Sequence, residues 1–261
     1  MVVHHFLTLL PMRFHLNYPF LSTVVSVVTG YSKFYRHFLR LFLFSITFSA
    51  CTAPSSIVPD AGYDFYPIEK GRFIEYDVVE TSYSLVGLPI TKSYQLKELQ
   101  GTPFTDLTNQ ESFKLERFRR DNATQAWRLD SVWTVKQTTE QLVRTENNIA
   151  YIKLAYPTRK GNKWNGNTLN SLGKDDYEMD AADKSFRYNA QQYDNVLTVK
   201  QQDDSTLVSQ DRRIERFAKG IGMLYKESTI LFLCSQPGCV GQGKIDYGSR
   251  KIQMIRAYGK E

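Results

Sequence analysis

The sequence predicts an all-β protein, mainly antiparallel, folded as a curved sheet, a barrel or a sandwich with at most short helices. Apolar and polar residues alternate over many short segments, such as residues 74–78, with the two-residue period of a half-buried strand. Turn residues separate these segments, and no segment has the apolar period of a long amphipathic helix. We therefore expect about ten short strands in one domain.

The strands can be placed in order because turn signals separate them. Asn147 and Asn148 predict a hairpin between two of them, and Gly220-Ile221-Gly222 predicts a tight turn with positive φ angles. Residues 158–173 are rich in glycine and asparagine and predict a loop-rich region. The predicted strands are 74–78, 90–99, 112–119, 127–135, 140–144, 150–156, 196–202, 212–217, 223–233, 244–247 and 251–258.

Residues 33–51 have the order of a secretory signal peptide: a basic segment, an apolar stretch over 41–50, and a cysteine. The ending Phe48-Ser49-Ala50-Cys51 resembles a bacterial lipobox, although Phe48 stands where leucine is usual. This resemblance implies that Cys51 carries a covalent lipid and becomes the first mature residue. The apolar stretch is too short to span a bilayer, which needs about 20 residues.

Three regions follow from this interpretation. Residues 1–50 form a signal peptide with a mis-assigned upstream extension, since no methionine lies between Met12 and Cys51. Residues 51–62, with two prolines and two serines, form a lipid-anchored tether. Residues 63–261 form a single β-rich domain.

The mature composition excludes several classes of function. Four of the 33 basic residues and none of the 27 acidic residues precede Cys51, which leaves a net charge of +2. This near balance argues against a nucleic-acid partner. All four histidines also precede Cys51, which excludes histidine-based nucleophilic catalysis and zinc sites in the mature protein. The sequence leans away from an enzyme without deciding the question.

Two further cysteines, Cys234 and Cys239, flank a predicted turn, Ser235-Gln236-Pro237-Gly238. An oxidising envelope favours a structural disulfide between them over two free thiols. Their spacing is not that of a redox C-x-x-C motif.

Three segments together resemble lipoproteins of Bacteroidota envelopes, a family to which we attach no activity. They are Tyr66-Pro67-Ile68-x-x-Gly71-x-Phe73-x-x-Tyr76, then Gly161-x-x-Trp164-Asn165-Gly166-Asn167, then Phe217-Ala218-Lys219-Gly220-Ile221-Gly222-x-Leu224-Tyr225-Lys226-Glu227. The likeness covers about residues 63–260 and implies a β-rich envelope lipoprotein, without implying a function.

One candidate ligand site lies in the loop-rich region. Trp164, with Asn165 and Asn167 beside it, has the residue types that stack on and hydrogen-bond to a sugar. The alternative is that Trp164 folds back into the core and holds the loop, and this alternative is favoured.

A weak calcium candidate lies in the acidic segment that follows. Asp176, Glu178 and Asp180 have the one-three-five spacing of a calcium loop. However, Ala181 and Arg187 occupy the positions of the required glycine and glutamate. As a strand, the three carboxylates would share one solvated face, so we expect no metal.

Basic residues also cluster with aromatic ones, around Arg117 to Arg120 and around Arg212 to Arg216. Neighbouring acidic residues, among them Glu116 and Glu215, neutralise both clusters. We interpret both as solvated strand faces, with no nucleic-acid site.

The function expected from these observations is a non-enzymatic binding or structural role in the cell envelope. The protein would be held at the outer membrane through its lipid, without another cofactor, and would engage an envelope partner protein. An alternative is a lipoprotein that binds carbohydrate or another small ligand through loop aromatics. A weaker alternative is a carboxylate-based hydrolase.

Overall fold

Twelve β-strands form one antiparallel sheet. The computed structural model describes residues 60–188 and 190–261, and it places a single 3-10 turn, Tyr63–Phe65, ahead of the first strand. The strands are β1 (Arg72–Tyr83), β2 (Ile90–Thr105), β3 (Glu111–Arg120), β4 (Arg128–Gln137), β5 (Gln141–Glu146), β6 (Ile149–Ala155), β7 (Lys163–Asn165), β8 (Asp176–Tyr188), β9 (Gln191–Ser205), β10 (Ser209–Ala218), β11 (Gly222–Leu233) and β12 (Ile245–Lys260). The predicted all-β class is confirmed.

The sheet nearly closes into a barrel, which decides between the predicted architectures. Its order is β6-β5-β4-β3-β2-β1-β12-β11-β10-β9-β8-β7, so β1 and β12 pair at the centre and β6 and β7 are the edges. The edges meet through a backbone hydrogen bond from Ile152 N to Gly166 O, at 2.9 Å. The Trp164 indole N–H also donates to Ile152 O, at 2.9 Å.

One part of the interior is filled with apolar side chains. Phe65 and Tyr66, just ahead of β1, are 2% and 4% exposed. The ring of Tyr66 meets the edge of Phe217 at 6.4 Å. The 3-10 turn is fixed to the β10–β11 turn by a hydrogen bond from Gly220 N to Asp64 O, at 2.8 Å. These contacts belong to a cluster that also contains Tyr76, Val78, Leu96, Leu142, Leu154, Met179, Leu197 and Met223.

The predicted turns are present with the expected backbone. Asn147 and Asn148 have φ angles of 51° and 66° and join β5 to β6 as a two-residue hairpin loop. Gly220 and Gly222 have φ angles of 74° and 113°. These glycines therefore allow the positive φ angles that the turn requires, as predicted.

The strands are longer than the sequence pattern indicates. The acidic segment lies in β8, and the two last predicted strands are one continuous β12. Gly248 suits its place in β12, because its φ is 132° and a Cβ there would meet the carbonyl oxygen of Ile230 on β11. Both extensions come from pairing with a neighbouring strand, which a local pattern does not encode.

The sulfur atoms of Cys234 and Cys239 lie at bonding distance in the loop between β11 and β12, with their Cα atoms 5.8 Å apart. This agrees with the predicted disulfide. Cys51, the predicted signal peptide and most of the predicted tether fall outside the described residues. Within the described residues, no helix has the length and apolar character needed to cross a membrane.

We predict that Gly248→Ala destabilises the protein by about 1–3 kcal/mol more than Gly87→Ala. Both glycines have positive φ, so both variants carry backbone strain. Only at Gly248 would the new Cβ meet the carbonyl oxygen of Ile230, whereas Gly87 has open space. Urea unfolding of the two variants measures the difference, and equal losses would contradict this account of β12.

Candidate ligand-binding cavity

A network of charged side chains occupies the interior beside the apolar cluster. Its first part surrounds Glu98 on β2. The Glu98 carboxylate accepts from Arg117 Nε at 3.2 Å and from Arg144 Nη2 at 2.8 Å. Glu98 and Arg144 side chains are 5% and 2% exposed, so this is a buried pair. Two guanidinium groups therefore share one carboxylate.

The second part surrounds Glu215 on β10, which is completely buried. Its carboxylate accepts from Lys153 Nζ at 2.6 Å and lies 3.2 Å from Lys226 Nζ. Lys153 belongs to β6 and Lys226 to β11, so this part joins strands from different regions of the sheet.

Glu146 on β5 connects the two parts. Its carboxylate lies 3.4 Å from Arg144 Nε, 3.6 Å from Lys226 Nζ and 3.9 Å from Lys153 Nζ. A continuous network of four cations and three buried carboxylates thus crosses the barrel interior from β3 to β10, and a fourth carboxylate, the more exposed Asp130, lies 3.9 Å from Arg117.

The network fixes the ionisation of its members. Burial favours the neutral form of Glu215, but Lys153 and Lys226 outweigh it and lower its pKa. Burial likewise opposes the ionised form of Glu146, and the cations around it, Lys226 first, lower its pKa well below the ordinary range. Burial also opposes the charged form of Lys226, yet Glu146 and Glu215 raise its pKa. At neutral pH these groups are therefore charged.

Lys153 behaves differently within the same network. Burial lowers its pKa and is only partly opposed by Glu215 and Glu146. The carboxylates around Lys153 therefore do not fully offset the effect of its burial.

A cavity of about 340 Å³ lies against this network. Its charged lining residues are Glu98, Arg117, Arg144, Glu146, Lys226 and Lys251. Four cations against two carboxylates give this lining a net charge of +2. Lys153 and Glu215 behind it cancel each other.

Several polar groups of the lining lack partners among the described residues. Gln253 is 3% exposed, and its Nε2 donates to no acceptor. Arg144 Nε and Glu146 Oε1 approach each other but form no hydrogen bond. Among the described residues, no carboxylate lies within ion-pair distance of Lys251. A buried polar group without a partner costs about 1–3 kcal/mol, so these groups lower the stability of the fold.

Aromatic residues line another part of the cavity. The Arg117 guanidinium lies 3.6 Å from the centroid of the Trp133 ring. The Trp133 indole N–H donates to Asn147 Oδ1 at 3.2 Å, which fixes the ring. Tyr151 and Ile149 of β6 also contribute to the lining. The cavity therefore combines a cationic surface with an apolar one, as small-molecule sites commonly do.

Trp164, Asn165 and Asn167 are engaged in the fold. The Trp164 indole packs edge-on against Tyr177 and hydrogen-bonds to β6. Asn165 Oδ1 accepts from the backbone N–H groups of Asn167 and Asp175. The role of these residues in ligand binding stays a prediction, and none of the three lines the cavity described above.

Asp176, Glu178 and Asp180 lie along β8. Glu178 pairs with Lys163 and Lys200, and Asp176 pairs with Lys174. In residues 60–188 and 190–261, no group of three or more acidic, cysteine or histidine side chains could hold a metal ion.

The interpretation of the two basic clusters as solvated faces was wrong for two members. Arg117 is 9% exposed and Glu215 is fully buried. Arg117 lies between the less buried Glu116 and Phe118, whereas Glu215 follows the buried Ile214. A charged residue in such segments is normally assigned to the outside. The signal available in the sequence was Glu215 two positions before Phe217, on the same face of a strand.

Comparisons with protein families, with curated proteins and with solved structures found no match.

We predict that Glu215→Gln destabilises the protein by about 3–5 kcal/mol, because it leaves the buried Lys153 ammonium without its closest carboxylate. Glu178→Gln is the control, because Glu178 and its partners Lys163 and Lys200 are partly exposed to solvent. Ion pairs of this kind contribute less than about 1 kcal/mol to stability. Guanidinium unfolding measures both. The double variant Lys153→Met, Glu215→Leu should recover much of the loss.

For Glu215→Gln we also predict a change in how stability depends on pH in acid. The folded-state pKa of Glu215 is lowered, so its contribution is present above the ordinary glutamate pKa of about 4.3 and is lost as pH falls below that value. Glu215→Gln should therefore lose less stability than the wild type between about pH 5 and pH 3. Parallel stability curves for the two proteins would contradict the assignment.

Proposed function

We propose that this is a non-enzymatic, lipid-anchored protein of the bacterial cell envelope, at the outer membrane, that binds a small anionic molecule inside its β-barrel. The signal peptide and lipobox resemblance support the anchor and the location. The cationic cavity supports the ligand class. Under this proposal the ligand site is the interior cavity instead of the Trp164 loop.

The observation that carries the proposal is the unmatched positive charge of the lining. Arg117 and Arg144 share Glu98, and Lys226 is held by Glu146 and Glu215. Among the described residues, Lys251 has no such carboxylate, and Ser228, opposite Lys251 on β11, adds a hydroxyl to the same cavity lining. Donors without acceptors select a ligand that brings negative charge and acceptor atoms.

Binding is better supported than hydrolysis. A carboxylate-based hydrolase needs a carboxyl group that keeps its proton near neutral pH. Glu146 and Glu215 have lowered pKa values because each is surrounded by cations. Neither is suited to act as a general acid.

We predict that Lys251→Met abolishes anion binding while leaving the fold intact, because this ammonium has no carboxylate partner to lose. The test screens small carboxylates and phosphates for a rise in Tm, followed by titration calorimetry on each hit. Neutral analogues of the same size should give no shift.

Lys114→Met is the matched control, since Lys114 is an exposed lysine on β3 outside the cavity. It should bind every hit as the wild type does. The proposal fails if no small anion stabilises the protein, or if Lys251→Met binds the hits unchanged.

The anchor has its own test. We predict that the native protein begins at an acylated Cys51, and that Cys51→Ser releases it from the membrane fraction. Intact mass measurement of the purified native protein checks the N-terminus. A mature chain that begins elsewhere, or an unlipidated Cys51, would contradict the lipoprotein proposal without affecting the cavity.

A further inference from the structure

Four donor side chains lie side by side on one wall of the cavity. In the pairing of β11 with β12, Lys226 lies opposite Gln253 and Ser228 lies opposite Lys251. Residues directly opposite in an antiparallel pair project from the same face, with Cβ atoms about 4.5–5.5 Å apart. All four line the cavity, so we call them the donor patch.

From this arrangement, and resting on the proposed function, we infer that the ligand is a small phosphorylated sugar or polyol whose phosphate binds the donor patch. The Lys251 ammonium and the Ser228 hydroxyl can donate to phosphate oxygens, and Lys226 adds positive charge beside them while it stays paired with Glu146 and Glu215. A phosphate monoester carries a charge of about −1.5 to −2 at pH 7, which matches the +2 of the cavity lining.

The charge of the cavity lining favours a phosphate monoester over a carboxylate, which carries a single negative charge. Arginine pairs bidentately with carboxylates and phosphates alike, but here both guanidinium groups already contact Glu98. The cation left for the ligand is Lys251, and a lysine binds phosphate as a point charge without a fixed geometry.

The nearest acidic residue outside the network does not alter this reasoning. Glu80 of β1 lies opposite Lys251 in the register of β1 with β12. Its carboxylate accepts from the Tyr94 hydroxyl at 3.5 Å and does not line the cavity. Among the described residues, Lys251 therefore lines the cavity without a carboxylate within ion-pair distance.

The rest of the cavity favours a body that carries hydroxyl groups. The Asn147 amide and the Tyr151 hydroxyl belong to the cavity lining, and each can hydrogen-bond with a hydroxyl group. Trp133, Ile149 and Tyr151 offer an apolar surface against which a sugar ring can pack. A volume of about 340 Å³ is at the lower end of the range for ligand pockets, which limits the body to a compact one.

Titration calorimetry with four probes tests this inference: glucose 6-phosphate, glucuronate, glucose and inorganic phosphate. We expect glucose 6-phosphate to bind at least tenfold more tightly than each of the others at pH 7.5. Its affinity should fall at pH 5, because the second phosphate pKa is about 6 and the ligand loses charge.

Variants of the donor patch locate the phosphate. Lys251→Met should weaken glucose 6-phosphate binding at least tenfold and Ser228→Ala about threefold, with Lys114→Met unchanged. Ser228→Ala removes only a hydroxyl, so it keeps the test informative if Lys251→Met proves unstable.

The outcomes separate the two proposals. If glucuronate or another carboxylate binds best and Lys251→Met abolishes that binding, the anion-binding function stands and the phosphate inference is overturned. If inorganic phosphate binds as tightly as glucose 6-phosphate, the sugar part of the inference is overturned. If no anion binds, both proposals fail.

Discussion

The structure depends on a constraint that its own size imposes: the interior of a twelve-stranded barrel is too wide for apolar side chains from opposite walls to fill completely. Tyr66, Phe217 and the cluster around them fill one part. The remaining part holds long charged side chains, which reach across the space and meet their counterions. Because a buried charge is tolerated only when it is paired, each carboxylate of the network contacts at least two cations.

Filling the barrel interior with this network costs free energy, because the charged groups lose their hydration. Replacing buried ion pairs by well-packed apolar residues is often neutral or stabilising, so stability alone does not account for Glu98, Glu146 and Glu215 at these positions. Asp130 also lies 3.9 Å from Arg117, so the four cations of the network are matched by four carboxylates, and Lys251 is an additional cation at the cavity. An interior that served only for packing would have no use for this excess, whereas an anion-binding cavity requires it. The excess therefore favours binding over a purely structural role.

The fold class could be predicted from the sequence because the alternation of apolar and polar residues, and the residue types that turns require, are properties of short segments. The Asn147-Asn148 turn and the Gly220-Ile221-Gly222 turn were found because positive φ angles restrict the residue type. The cavity was missed because it is non-local: Lys153 and Glu215 are 62 positions apart, and nothing near either residue indicates the other. When both faces of a strand carry charge, as around Arg117, the two-residue period does not tell which face is inside.

Trp164 links the loop in which a ligand site was predicted to the cavity, which was not predicted from the sequence. The backbone N–H of Ile152 donates to Gly166 O, and its carbonyl accepts from the Trp164 indole, so this segment holds β6 at the edge of the barrel. Tyr151 and Lys153, the neighbours of Ile152 along β6, contribute a cavity wall and a member of the ion network. Replacing Trp164 would therefore disturb the cavity even without a contact to the ligand. A loss of binding in such a variant therefore identifies Trp164 as a ligand contact only if the Lys153–Glu215 pair is intact. An unchanged acid stability of the protein is the sign that this pair is intact.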